Sequence, residues 1–361
     1  MNFTFSEEQE MLRTSAREFL ANKYPLERIA EIADGEGFDP AWWAEAAELG
    51  WTGISLPEEV GGAGLSFLEE IVVIEEMGRA LYPGPFFSTV VLALPTLVEA
   101  PDLLENVVTG KTVATLAWAG SDGEFATQGL PTKATRRGEE WLLSGTTMFV
   151  PDLSVAELVV VASEDESGPG VWAVQREGDG SRWEELPTVD GTRRLGALHL
   201  DGAPGRVLAH GAEQLERIGD RALAALAVEA VGVADRALEM AVEYGKSRHQ
   251  FDRPIGIFQA VSHKLADAYV AVENARSLAY FAAWAVANGT DDAADAAAAA
   301  KGYAAEAAVA VCEKAIQAHG GIGFTWEHPL HRFYKRALWI AAFMGWPAAQ
   351  RARVAASVLA S

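Results

Sequence analysis

The sequence predicts an α+β chain: an N-terminal α-helical domain, a small antiparallel β domain in the middle, and a C-terminal four-helix bundle. Three observations carry this. Apolar residues recur at helical spacing up to about residue 100. Short β-type runs, broken by Gly, Asp and Pro clusters, then fill 112–207. Long alanine-rich helical runs return from Glu213 to the end. The boundaries drawn from these shifts are 1–110, 111–212 and 213–361.

In the first domain, Ser6 is an N-cap candidate, with Glu7 and Glu8 in the first turn, where the helix dipole favours acids. Met11, Leu12, Ala16, Phe19 and Leu20 follow on one face. A second helix spans Ala41 to Leu49 and ends at Gly50. The Pro- and Gly-rich stretch from Trp51 to Gly62 is a loop. Phe67 to Leu81 is helical again, closed by Pro83-Gly84-Pro85. The β runs are Thr112–Trp118, Thr132–Arg136, Glu140–Leu143, Leu158–Ala162, Val171–Gln175 and Leu198–Leu200. Helices then cover Glu213–Ser247, Phe258–Asn288, Asp291–Ala318 and a final stretch within Leu338–Leu359, with Pro347 as its start or a kink.

Composition excludes several classes of function. The chain has 361 residues, half of them hydrophobic at 50%, and a formal net charge of −22. Nucleic-acid binding needs basic surface and is not expected. No apolar run reaches the ~18 residues of a membrane span. The N-terminal Met-Asn-Phe-Thr-Phe-Ser-Glu-Glu lacks the basic and apolar regions of a signal peptide, so none is expected. Cys312 is the single cysteine, so a reducing, cytoplasmic setting is expected and no metal site is.

Two stretches carry more specific information. Residues 317–323 read Gln-Ala-His-Gly-Gly-Ile-Gly and stop a helix with glycines that tolerate φ > 0 and let a ligand approach. The helix comes before the glycines, which argues against a Rossmann fingerprint. Residues 248–261 read Arg-His-Gln-Phe-Asp-Arg-Pro-Ile-Gly-Ile-Phe-Gln-Ala-Val. In this order and spacing the two stretches resemble the C-terminal domain of the acyl-CoA dehydrogenases. There an Arg-x-Gln/Thr-Phe-Gly turn and a Gln-x-x-Gly-Gly-x-Gly turn hold the ADP half of FAD, usually one seated mainly in the neighbouring subunit. The resemblance covers nearly the whole chain. It implies cofactor contacts at Arg248, Gln250, Phe251, Phe258, Gln259, Gln317, Gly320 and Gly321.

The flavin side of the resemblance is eroded. The family's Thr-Glu-Pro-x-Ala-Gly-Ser-Asp stretch falls on Thr115 to Asp122, which keeps Thr115 and Ala119-Gly120-Ser121-Asp122 but not the Glu-Pro pair. Ser121 is the implied substrate contact. The family's Met-Trp-Ile-Thr-Asn falls on Met148-Phe149-Val150-Pro151-Asp152, and Pro151 has neither a side-chain hydroxyl nor a backbone N–H. The family's usual catalytic glutamate falls on Met344, and a thioether cannot accept the proton. Trp346 replaces a threonine that contacts FAD. Some members carry the base on the first long helix of the C-terminal domain, beside an arginine. Asp220, beside Arg221, and Glu229 are the candidates there; a first-turn role favoured by the helix dipole is the other reading of Asp220.

The resemblance implies an oxidoreductase: FAD-dependent α,β-desaturation of an acyl-CoA thioester, with electron-transfer flavoprotein as the acceptor. Within the family, kept ADP-side turns with eroded flavin-side and base motifs resemble the incomplete subunit of actinobacterial heterotetramers acting on steroid side chains. Two alternatives stay open. One is a self-sufficient homotetramer with its base on the first long C-terminal helix. The other is a non-catalytic scaffold, since fold does not fix function.

Overall fold

A computed structural model describes residues 5–35 and 37–360. The expectation that no signal peptide is present rests on residues 1–8, of which 1–4 lie outside the described residues. Helices occupy the chain up to Val108, strands run from Ala114 to His210, and helices follow from Ala212. By its contacts the chain divides into two compact units. One comprises Met1–Glu31, Ile71–Tyr82 and Leu223–Ser361, the other Ile32–Glu70 and Pro83–Ala222.

The first unit is helical. α1 (Glu7–Lys23) begins at the expected Ser6, whose hydroxyl accepts from Gln9 N–H while the Gln9 side chain accepts from Ser6 N–H, a reciprocal capping box. α4 (Phe67–Ala80) from Ile71, α6 (Ala212–Ser247) from Leu223, α7 (Gln259–Asn288) and α8 (Ala293–His319) follow. α9 (Leu330–Ala342) and α10 (Pro347–Ala360) both pack on α8, and Pro347 is a helix start, not a kink. The alanine tract is the inner face of α8: Ala297, Ala298, Ala300, Ala304 and Ala305 are all buried.

Glu75 and Glu76 are buried on the apolar α4 and need partners there. Arg17 of α1 grips Glu76 through two bonds at 2.9 and 2.7 Å. Glu75 receives the Tyr280 hydroxyl and the Arg276 guanidinium from α7. Burial nonetheless pushes the Glu75 carboxyl above its ordinary range, against the pull of Arg276.

The second unit is built on a sheet of seven described strands. They are β1 (Ala114–Ala117), β2 (Thr132–Arg137), β3 (Glu140–Pro151), β4 (Leu158–Asp165), β5 (Gly168–Gln175), β6 (Ser181–Leu186) and β7 (Leu195–His210). Their order is β1-β4-β2-β3-β7-β5, and β5 also pairs with β4, so the path closes on itself. Most pairings are antiparallel as expected, but β4 pairs parallel with β1 and with β2. Trp172, Leu143, Val159, Val161 and Leu198 fill the interior. β6 escapes the sequence reading because Ser-Arg-Trp-Glu-Glu-Leu has few β-branched residues and one mostly solvated face. A one-sided β-bulge lifts Met148 and Phe149 out of the β3–β7 ladder, with Phe149 at φ 57°. The unit also holds α2 (Leu26–Asp34) in part, α3 (Pro40–Glu48), α5 (Pro101–Val108) and a buried π-helix at Phe87–Ala93.

Candidate functional site

The two glycine- and arginine-bearing turns lie in the helical unit. After α6 the chain makes a two-residue hairpin, with His249–Gln250 (β8) pairing antiparallel to Arg253–Pro254 (β9). Both loop residues have positive φ, Phe251 at 54° and Asp252 at 59°, as a tight hairpin of the native twist requires. Aspartate tolerates that region better than most residues, and Phe251 tolerates it at a cost. Phe251 is 86% exposed and meets Phe258 edge-on at 6.2 Å between centroids. Arg248, Gln250 and Gln259 are exposed, and Phe258 is half-buried. Their polar side chains make no hydrogen bond or ion pair among the described residues.

The second turn begins where α8 ends. Gly320 takes φ 64° and ψ −137°, which excludes side chains. A Cβ on Gly320 or Gly321 would meet nothing within 4 Å. Gly323 is different: its Cβ would stand 2.7 Å from the Ile316 carbonyl, so that glycine serves packing. Gln317 is exposed on the last turn of α8. Tyr244 of α6 stacks on His319 at 4.3 Å with a 24° interplanar angle, and this face contact binds the helix leading to Arg248 to the one leading to Gly320. His319 N–H donates to the Ala315 carbonyl at 2.8 Å, and burial lowers its pKa. The sequence reading missed this pair; the signal was Tyr244 one helical turn before Arg248.

Met344 sits in the turn between α9 and α10, 9% exposed and at φ 56°, followed by Gly345 at φ 93°. The turn is held from behind. Gln350 donates to the Met344 carbonyl at 2.7 Å. Lys301 of α8, fully buried, donates to the carbonyls of Ala341, at 2.9 Å, and Gly345. Burial lowers the Lys301 pKa to about 7. Gly302 lets the turn come close: its Cβ would lie 3.2 Å from that of Gln350. Trp346 points outward at 56% exposure.

Glu229 is 2% exposed on α6 and forms an ion pair with the fully buried Arg336 of α9, whose other nitrogen donates to the Tyr82 carbonyl at 3.2 Å. Its carboxylate is thus engaged in joining three segments. Asp220 is half-buried. It stands more than two turns inside α6, so the first-turn dipole reading does not hold: that effect fades within one turn. The neighbouring Arg221 is fixed in the β-bearing unit. It donates to Ser55 at 3.1 Å and to the fully buried Glu70, and lies 4.2 Å over the Phe67 ring. Burial raises the Glu70 pKa, and Arg221 opposes that rise.

The flavin-side stretches adjoin one another in the β-bearing unit. Met148 N–H donates to the Ala119 carbonyl at 2.9 Å, joining the bulge to the loop after β1. The Thr115 hydroxyl donates to the Pro151 carbonyl at 2.6 Å, and Ser88 donates to the buried Asp152 at 2.6 Å. Ser121 is exposed on the loop. Thr115, Pro151 and Asp152 are thus bonded within the fold, and Ser121 is not.

Among the described residues, no helix is long and apolar enough to cross a membrane. Residues 6–100 match the family "acyl-CoA dehydrogenase, N-terminal domain", and residues 215–359 match "acyl-CoA dehydrogenase, C-terminal domain". The chain is 32% identical to acyl-CoA dehydrogenase IpdE2 of Mycolicibacterium smegmatis, over 98% of this chain and 99% of that one. Among solved structures it is similar to the Tcur3481-Tcur3483 steroid ACAD, at 34% identity, TM-score 0.89 and coverage of 98% and 99%. It is also similar to the ChsE4-ChsE5 complex from Mycobacterium tuberculosis, at 31% identity, TM-score 0.92 and full coverage of both chains. FAD is the cofactor of the family these matches define. With both terminal domains matched and the fold shared from end to end, this chain belongs to the acyl-CoA dehydrogenase family.

Proposed function

We propose that the chain is the incomplete subunit of a heterotetrameric acyl-CoA dehydrogenase. It lends ADP-side contacts to a FAD whose flavin side, and whose catalytic base, belong to a homologous partner. One observation carries this reading. The ADP-side turns present uncommitted donors and open glycines, whereas Thr115, Pro151 and Asp152 of the flavin-side stretches are bonded within the fold and the usual base position holds Met344. Arg248 suits a charge-assisted bond to phosphate, Gln250 and Gln317 suit polar groups of the nucleotide, and Gly320 and Gly321 leave room for its backbone-close approach. Bound FAD would supply the hydride acceptor for desaturation of an acyl-CoA thioester. The Tcur3481-Tcur3483 steroid ACAD and the ChsE4-ChsE5 complex support the heteromer, and the first of them supports a steroid substrate, here proposed to be acted on at its side chain. Electron-transfer flavoprotein is the proposed acceptor and the cytoplasm the proposed setting.

A second reading keeps the base on this chain, at Asp220. It is favoured by the neighbouring Arg221, the arginine that accompanies the base in some members of the family, which is fixed by Glu70 and Phe67. Co-expression with a homologous partner separates the two. Native mass spectrometry with FAD quantified should give a two-plus-two tetramer with about one FAD per heterodimer, as the site count and closed symmetry require. One FAD per chain in a stable, active tetramer of this chain alone overturns the first reading.

A further inference from the structure

Trp118 follows β1 directly and is 3% exposed. Its indole N–H donates to the Ala126 carbonyl at 2.6 Å, and Phe125 meets its ring at 5.7 Å and 83°. These two contacts fold the loop after β1 back over the indole. The far corner of the ring, Cη2, lies 3.4 Å from where a Cβ on Gly219 would stand. Gly219 is the residue before Asp220 on α6, and a Cβ there would already be in van der Waals contact with the ring. Trp118 also immediately precedes the Ala119-Gly120-Ser121-Asp122 stretch. The indole thus rests on α6 one residue before Asp220, and its own residue lies three positions before Ser121, the two places on this chain with a candidate role toward a thioester.

A base reaches an α-carbon only from hydrogen-bond range, so an acyl chain served by Asp220 would have to run along this part of α6. A tryptophan ring is among the largest apolar bodies a protein can place there. We infer that Trp118 is a plug: its indole fills the space beside Gly219 and Asp220 and closes this subunit's own cleft to acyl-CoA. The inference deepens the incomplete-subunit reading and rests on it. It makes the lack of turnover a matter of excluded substrate as well as of a missing carboxylate.

The test uses the full chain and a non-reactive thioether analogue of an acyl-CoA, titrated calorimetrically. Trp118→Ala and Trp118→Leu are expected to bind the analogue at least about tenfold more tightly than the unaltered chain. Phe125→Ala, which keeps the indole, is expected to give no such gain. Equal binding by the unaltered chain and both Trp118 variants overturns the plug. Should Trp118→Ala not fold, the leucine variant and the unaltered chain decide, since micromolar binding by the unaltered chain is itself incompatible with a closed cleft. Such binding without turnover overturns the plug and leaves the incomplete-subunit reading standing. Turnover by this chain alone, with one FAD per chain, overturns both.

Discussion

The turns proposed above to hold the ADP side of FAD and the stretches that align with the family's flavin side are treated in opposite ways by this chain. At 248–259 and 317–323 the donors are exposed and the glycines Gly320 and Gly321 face open space. At 115–122 and 148–152 the hydroxyl of Thr115, the carbonyl of Pro151 and the carboxylate of Asp152 are bonded within the fold, and an indole lies against α6. The difference separates two kinds of residue that a motif comparison lumps together. A group that must meet an external ligand is left without an internal partner, which is tolerable only where water or the ligand satisfies it. A group freed from that duty is absorbed into packing.

Glu229 gives the hardest test of this contrast, because it lies on the helix where a base would be sought but is fully partnered. Glu229→Ala leaves Arg336 charged and buried, and should cost about 3–5 kcal/mol of stability in denaturant unfolding. If the variant were as stable as the unaltered chain and lost only turnover in the assembled enzyme, Glu229 would be the base after all. Arg248→Ala, on the open side, should leave stability unchanged and weaken FAD retention in the assembled enzyme by about 1.5–3 kcal/mol. Unchanged FAD affinity would remove Arg248 from the site. Gly321→Val should also lower FAD content while the separate subunit stays folded, since its Cβ meets no neighbour. A variant that retains its FAD reduces that turn to a helix cap. The smallest expected effect is that of Met344→Glu. Restoring a carboxylate alone should create no measurable dehydrogenase activity, because Pro151, Trp346 and the indole of Trp118 still stand. Clear activity in an acceptor-coupled assay would show that the flavin side is intact.

Much of the architecture was legible in the sequence because it is locally encoded. Ser6 with Gln9, Gly50 after the third helix, Gly289 after α7 and Pro347 before α10 are helix signals that act within a turn of chain. The parallel pairing of β4 with β1 was not legible, since a run of buried valines reads the same in either direction. Nor was the π-helix at Phe87–Ala93, where Ser88 and Thr89 are buried and donate to Asp152 and to the Ala114 carbonyl.

By itself the sequence determined the succession of helical, β and helical segments, the two glycine- and arginine-bearing turns, and a methionine, not a carboxylate, at position 344. Each of these depends on residue identity and on spacing over a few positions. Tertiary structure alone decided that Glu229 belongs to Arg336, 107 residues away, and that Glu75 and Glu76 are buried with arginines from other helices. It also decided that Gly321 is open while Gly323 is packed, and that Trp118 rests on Gly219. A side chain's duty in these cases is set by which distant group reaches it first. Burial makes an unpartnered charge or an unfilled space costly, so packing, and not local pattern, selects the partner.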